Sequence, residues 1–303
     1  MALLYWFESI RNPVLDKIML LITSLGEETA FLALAIIFFW CVDKRRGYYI
    51  LSVGFFGTII NQFLKMTFRI DRPFEIHKDF HAVDGALEEA TGFSFPSGHT
   101  QSSIGTFGSI AKSSFRKLVK IVCVLIAVLV PISRMYLGVH TPQDVLVSVV
   151  VAVSLIFLVY PFTAGKYHKY FPLAIVLMIL MSVSYLIFVM SYNFPAEVNA
   201  DRLLSGKESA FTLLGALCGL IVVYIVDEKW LHFPVKAVWW AQLIKIIVGL
   251  ALVLAVKSGL KSILNDIFGA FIGRGVRYFL VVLFAGCLWP LSFKWFSRLS
   301  NKE

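Results

Sequence analysis

The chain has 303 residues, 58% hydrophobic and only 16% charged, where soluble domains carry about 45–50% apolar residues. Apolar runs of roughly 17–25 residues, long enough to cross a bilayer as a helix, recur along it and leave no soluble domain of useful size. The formal charge of +9 does not point to nucleic acid, because the basic residues gather in short loops between apolar runs, where they fix orientation and meet anionic headgroups.

Residues 1–25 are amphipathic. Leu15, Ile18, Met19 and Ile22 fall at helical spacing with Asp16 and Lys17 between them, which reads as an interfacial helix or a short first span. Clearer spans follow at 28–42 and 47–66. The segment 67–98 is rich in charge, glycine and proline, and its backbone groups would have no partners in lipid. A helix is expected at about 99–112, then spans at 117–133 and 143–160, joined by a short loop at 134–142. Further apolar helices are predicted at 172–191, 209–226, 238–256 and 277–293, with a polar connector at 192–208. Residues 257–276 are mixed and read as a re-entrant or interfacial piece. The four cysteines, Cys41, Cys123, Cys218 and Cys287, form no C-x-x-C pair and suggest neither a zinc site nor a disulfide framework.

The fold class expected is an all-α, polytopic transmembrane helical bundle of about eight or nine spans. Its organisation divides into an N-terminal interfacial helix at 1–26, a core at 27–160, and additional helices at 161–303. Lys44, Arg45 and Arg46, then Lys112, Arg116, Lys117 and Lys120, then Lys166 and Lys169 fall on one side if the spans alternate, and the positive-inside rule makes that side cytoplasmic. Lys257, Lys261, Arg274 and Arg277 fit this scheme less cleanly.

Three short motifs then share the opposite face. They are Lys65 with Arg72-Pro73, Pro96-Ser97-Gly98-His99, and Ser133-Arg134 followed by His140 and Asp144. Together they read as a phosphate site. Lys65, Arg72 and Arg134 supply fixed positive charge, and arginine forks match phosphate oxygens bidentately. Pro96-Ser97-Gly98-His99 opens a helix whose N–H groups and dipole favour an anion. Ser97 can donate a hydroxyl, and Gly98 lets the backbone come close to an oxygen. His140-Thr141-Pro142-Gln143-Asp144 reads as a helix start, with Thr141 as N-cap, Pro142 at the first helical position and Asp144 closing a capping box. Asp144 also reaches back toward His140. A carboxylate on one ring nitrogen leaves the other as a nucleophile, and His99 is placed to protonate a leaving oxygen. Taken singly, each has a structural reading: a snorkelling lysine, an N-cap serine, a capping-box acid. Polar and ionisable groups gathered at one membrane face are expensive and read as functional.

The three motifs resemble the signature of the type 2 phosphatidic acid phosphatase superfamily over roughly residues 13–160. The resemblance implies a six-helix phosphatase core with His140 as nucleophile, Asp144 as its orienting partner and His99 as general acid. Lys65, Arg72, Ser97, Gly98 and Arg134 would hold the phosphate. It implies a metal-independent reaction without cofactor, and no acidic cluster near the motifs looks like a magnesium site. The expected partners are a lipid phosphate substrate and membrane lipids. The expected location is a cell membrane, with the active site on the extracytoplasmic face. Phosphatidic acid, phosphatidylglycerol phosphate, a sphingoid phosphate and an isoprenyl diphosphate all remain candidate substrates. The alternatives are a lipid transporter or scramblase that retains a phosphate site, and a phosphatase of a small soluble ester like the glucose-6-phosphatases. A vanadate-bound haloperoxidase fits poorly, since those relatives are soluble.

Two secondary expectations concern charge. The acids of 74–95, Glu75, Asp79, Asp84, Glu88 and Glu89, line the site entrance or are solvated loop. Intramembrane Lys245 reads as functional by default or else snorkels or pairs with Asp266 or Asp227, and Gly269 and Gly273 form a small-residue spacing suited to helix packing.

Overall fold

A computed structural model describes residues 1–88 and 90–299; Glu89 lies outside the described residues. Its helices, in chain order, are α1 (Ala2–Ser9), α2 (Pro13–Ser24), α3 (Glu28–Ile37, continued by a π-turn at Phe38–Val42), α4 (Lys44–Phe68), α5 (Pro73–Ile76), α6 (Gly98–Ser113), α7 (Lys117–Tyr136), α8 (Pro142–Thr163), α9 (Phe171–Ser191), α10 (Ala200–Val226), α11 (Trp239–Leu283) and α12 (Phe293–Leu299). The protein is an all-helical, multi-pass membrane protein. Among the described residues six helices are long and apolar enough to cross a membrane, or seven if the pair Pro13–Ser24 and Glu28–Val42, bent by 48°, counts as one span. That count is lower than the sequence suggested for two reasons. Helix α6, at 16 residues, is too short to count, and Trp239–Leu299 counts as one stretch although its helix breaks at Gly269.

The chain divides into two compact units. The first comprises Met1–Leu34, Tyr49–Pro161 and Phe194–Gly206. Large apolar side chains face outward on its long helices, as lipid contact requires, and α6 carries a run of buried small polar residues. Leu118 on α7 is 72% exposed and Leu146 on α8 is 62% exposed, whereas Thr100, Gln101, Ser103, Thr106 and Ser109 on α6 are buried. Small side chains on α6 let neighbouring helices come close.

Helix α2 is capped by Asn12, whose side chain accepts from Leu15 N–H, and its apolar stripe Val14, Ile18, Leu21 and Leu25 is exposed. The other face serves α7: Asp16 accepts from the Tyr136 hydroxyl at 2.7 Å and Thr23 accepts from Arg134 at 3.0 Å. Between α4 and α6, only α5 and a short 3-10 turn at Asp84–Ala86 are helical among the described residues. The rest is tied by individual bonds, such as Val83 N–H to Leu137 C=O and Ser94 N–H to Ile70 C=O. Gly138 has φ +80°. A side chain there would also collide with Arg11 and Phe80, so only glycine makes this turn.

The second unit comprises Ala35–Tyr48, Phe162–Asn193 and Lys207–Glu303. Residues 257–276 are helical on both sides of one break. Helix α11 runs through them to Gly269, where φ is +77°, and the chain folds back so that Gly273 abuts the Leu264 carbonyl. Exposed Ile263, Ile267 and Ile272 give the segment the apolar face that its average composition hides. Gly269 and Gly273 therefore make a reversal. Lys245 is fully buried and pairs with neither aspartate. It donates to the carbonyls of Trp40 at 2.9 Å and Val235 at 3.0 Å, with Phe293 4.2 Å away. Asp227 is taken by Lys44, with both oxygens at 2.7 Å.

Candidate active site

Five helix ends of the first unit build one site. Lys65 lies in the last turn of α4. Arg72 caps α5 in extended backbone, as a residue before proline must. Ser97 caps α6, Arg134 sits in the last turn of α7, and His140 precedes Pro142, the first residue of α8. A cavity of about 260 Å³ brings together Lys65, Arg72, His99, Arg134 and His140 in its lining. The distant motifs thus converge.

His140 is 1% exposed. Its Nε2 lies 3.3 Å from Arg72 Nη1, and its Nδ1 lies 3.5 Å from Asp144 Oδ2. This network assigns the proton to Nδ1 and leaves the Nε2 lone pair toward the cavity. Burial, and then the charges of Arg72, Arg134, Lys65 and His99, hold the His140 imidazole well below the usual histidine range. It is therefore neutral at neutral pH, the form that carries a lone pair.

Asp144 does double duty. Its Oδ2 accepts from Thr141 N–H at 2.8 Å while its own N–H donates to Thr141 Oγ1 at 3.3 Å, the reciprocal capping box expected of this sequence. The same oxygen accepts the Ser94 hydroxyl at 2.6 Å. The carboxylate is thereby fixed beside His140.

The cations are held by backbone oxygens. Arg72 donates through Nε to Gly92 C=O at 3.1 Å and through Nη1 to Val139 C=O at 3.0 Å. Lys65 donates to Phe93 C=O. Arg134 is fully buried and donates to Thr23. Such fixed donors cost no reorganisation when charge develops in front of them. His99 Nε2 is buried and has no hydrogen-bond partner among the described residues, so it can meet a substrate oxygen. Among those residues no three His, Cys, Asp or Glu side chains gather as a metal site.

One residue expected to hold phosphate stands outside the lining. Ser97 is fully buried and does not line the cavity; its Oγ accepts from Thr100 N–H and its own N–H donates to Asp144 C=O. It braces α6 against α8. Gly98 does line the cavity, and a side chain there would meet nothing closer than Asn61 Oδ1 at 4.0 Å. The acids expected at the entrance are engaged or absent from the lining. Glu75 accepts from Arg72 N–H and pairs with Arg202, and Asp79 accepts from the Tyr5 hydroxyl. The lining carries Glu27 and Glu28 instead, from the turn between α2 and α3.

Sequence reasoning missed Ser94 and Arg202. Ser94 lies just ahead of Pro96-Ser97-Gly98-His99, in the loop whose carbonyls take Lys65 and Arg72, and that proximity was its one signal. Arg202 had none. It stands in the first turn of α10, pairs with Asp71 and Glu75, and lies over the Phe93 ring at 5.1 Å.

Comparison with known proteins identifies the family. Residues 46–168 match the PAP2 superfamily, and residues 211–302 match the PAP2 superfamily phosphatase transmembrane extension. The chain is similar to phosphatidylglycerophosphatase B of Bacillus subtilis, at 36% identity over 50% of this chain and 76% of that protein. It is also similar to undecaprenyl-diphosphatase BcrC of the same organism, at 32% identity over 51% of this chain and 78% of the relative. A probable sphingosine-1-phosphate phosphatase of Dictyostelium discoideum is 29% identical over 48% of this chain and 38% of its own length. No solved structure matches the chain. The chain belongs to the PAP2 superfamily of phosphatases. It is a membrane-embedded phosphoric ester hydrolase of the lipid phosphatase kind.

Proposed function

We propose that the protein removes phosphate from a lipid phosphate monoester or diphosphate through a phospho-histidine intermediate at His140. One observation carries this reading: two imidazoles and three buried or half-buried cations line a single small cavity. Arg72, Arg134 and Lys65 hold the phosphate oxygens. His140 Nε2 attacks phosphorus, and its Nδ1 proton faces Asp144, which stabilises the charge that develops on the ring. His99, protonated when substrate binds, gives its proton to the leaving oxygen. Water then attacks the phosphorus–nitrogen bond with His99 as base, and His140 is released. Each cationic donor is worth about 10²–10³ in rate.

A lipid substrate suits a site at helix ends, where a headgroup reaches the cage while its tail stays among apolar helix faces. Substrates of this kind are named for the relatives: a phosphatidylglycerol phosphate, an undecaprenyl diphosphate and a sphingosine phosphate. We assign the site to the extracytoplasmic side of a cell membrane on the distribution of basic residues. Lys112 and Lys117 mark the helix ends opposite to His99 and Arg134 on α6 and α7, and basic loops stay in the cytoplasm.

The test is inorganic phosphate release in detergent from a panel of phosphatidic acid, phosphatidylglycerol phosphate, sphingosine phosphate, an isoprenyl diphosphate and glucose phosphate. Release from at least one lipid, lost in His140→Ala, is the expected result. A panel of inert lipids, or a fully active His140→Ala enzyme, would contradict the proposal.

A further inference from the structure

The cavity continues past the phosphate cage. On α4 its lining includes Lys65, Asn61, Thr58 and Gly54, a spacing of three or four residues that marks one helix face. Facing them on α6 are Gln101 and Ser102. From Lys65 to Gly54 the groove follows α4 for about 16 Å at 1.5 Å per residue.

Its walls hold donors that nothing among the described residues satisfies. Gln101 is only 5% exposed, and its Nε2 has no partner among the described residues. The amide is seated against Gly57, where any side chain would come within 2.3 Å of it. The Ser102 hydroxyl is likewise buried without a partner. Buried polar groups are ordinarily paired, and an unpaired one in a cavity wall points to a ligand.

Position supplies the second argument. His99 precedes these residues by one half-turn to one turn on α6, and its Nε2 is also unpaired. The leaving oxygen must come to His99, so the alcohol it belongs to extends along α6, past Gln101 and Ser102.

Charge supplies the third. Lys65, Arg72 and Arg134 form the cage. The fourth cation in the lining, Arg202, is matched by Asp71 and Glu75. The remaining ionisable lining residues, Glu27 and Glu28, are acidic. A second phosphate would meet no unmatched cation there, whereas a hydroxyl both donates and accepts.

We propose that the groove between α4 and α6 is a subsite for the leaving alcohol, and that it takes a neutral, hydroxyl-bearing group of the glycerol type. This rests on the phosphatase reading above and narrows its substrate class. The site rejects an alcohol that lacks the hydroxyl because its own buried donors are then left unpaired.

The experiment compares kcat/KM for phosphatidylglycerol phosphate, for its analogue lacking the free hydroxyl of the phosphorylated glycerol, and for an isoprenyl diphosphate. The wild type should prefer the hydroxylated ester over the deoxy analogue by about tenfold or more, the worth of one good hydrogen bond, and should favour it over the diphosphate. Gln101→Leu should shrink the hydroxyl preference to about twofold or less. Ser102→Ala, a smaller change that keeps the fold should Gln101→Leu fail to, should lower the preference in the same direction. A preference equal in wild type and both variants, no preference at all, or a faster diphosphate overturns the subsite while leaving the phosphatase standing. A wild type inert toward all three overturns the subsite, and overturns the phosphatase reading as well when the wider lipid panel is also inert.

Discussion

The Ser94 hydroxyl donates to Asp144 Oδ2 at 2.6 Å and stands 3.5 Å from Nδ1 of His140. Asp144 therefore shares one oxygen among Ser94, Thr141 N–H and the His140 ring. Ser94 fixes that oxygen on the side of the ring opposite Nε2, the nitrogen proposed as nucleophile. Ser94→Ala should lower kcat about tenfold, the equivalent of one lost hydrogen bond, with a smaller change in KM. Steady-state phosphate release measures both. Unchanged turnover would show that Thr141 alone positions the carboxylate.

Arg202 links the first turn of α10 to the phosphate cage. It pairs with Glu75, whose other oxygen accepts Arg72 N–H at 2.8 Å, and Arg72 in turn reaches His140. Arg202→Ala should raise KM by about tenfold, since it loosens a binding cation through one hydrogen-bonded carboxylate, while kcat falls less. The reversed pair Arg202→Asp with Asp71→Arg should recover part of the loss. Equal defects in the single and reversed variants would mean that packing on Phe93, not charge, is what Arg202 contributes.

The pH dependence follows from His140. Burial first, then Arg72, Arg134, Lys65 and His99, depress its affinity for a proton below the ordinary value of 6.5. As pH falls through about 6.5, the unfolded chain takes up this proton and the folded chain does not. The stability contributed here is complete above that pH and is lost below it. The folded ring stays neutral, so its nucleophilic form persists under mild acid. Nitrogen chemical shifts of labelled histidine in micelles should show a neutral His140 ring at pH 6. A ring half protonated at pH 6.5 or above would contradict this.

Lys245 is a structural cation, held by two carbonyls and an aromatic ring. Lys245→Met keeps the length and removes the donors. It deprives the buried Trp40 carbonyl of this donor, a cost of about 1–3 kcal/mol, whereas the Val235 carbonyl keeps Gln242 Nε2 at 2.9 Å. Thermal denaturation should shift downward, and turnover per folded molecule should be retained. A folded Lys245→Met protein without activity would place this lysine in the function.

The sequence made the helices and the cage legible for the same reason: both are written in local patterns. Apolar runs give the spans, and Thr141-Pro142-Gln143-Asp144 spells out its own cap. Convergence of Lys65, Arg72, Arg134, His99 and His140 followed from alternating spans. What stayed hidden depends on long-range contacts. Ser97 looked like a phosphate donor, yet its hydroxyl is used as a helix cap. Lys245 looked as if it needed an acid, yet a π-turn at Phe38–Val42 offers it the Trp40 carbonyl. Arg202 lies far along the chain from the residues it touches, and no periodicity announces such a partner. The break in α11 turns on one backbone angle at Gly269, in a segment whose averaged hydropathy conceals its apolar face.

The account stands on covalent chemistry at one ring nitrogen. Wild-type and His99→Ala enzyme should be mixed with a lipid phosphate carrying labelled phosphorus and quenched within the first turnover. The label should then stay on the protein as an acid-labile, base-stable phosphate at His140. It should build up further in His99→Ala when the leaving group is a good one, because hydrolysis of the intermediate lacks its base. Label on any other residue, or single-turnover release from a His140→Ala enzyme at the wild-type rate, would contradict the mechanism.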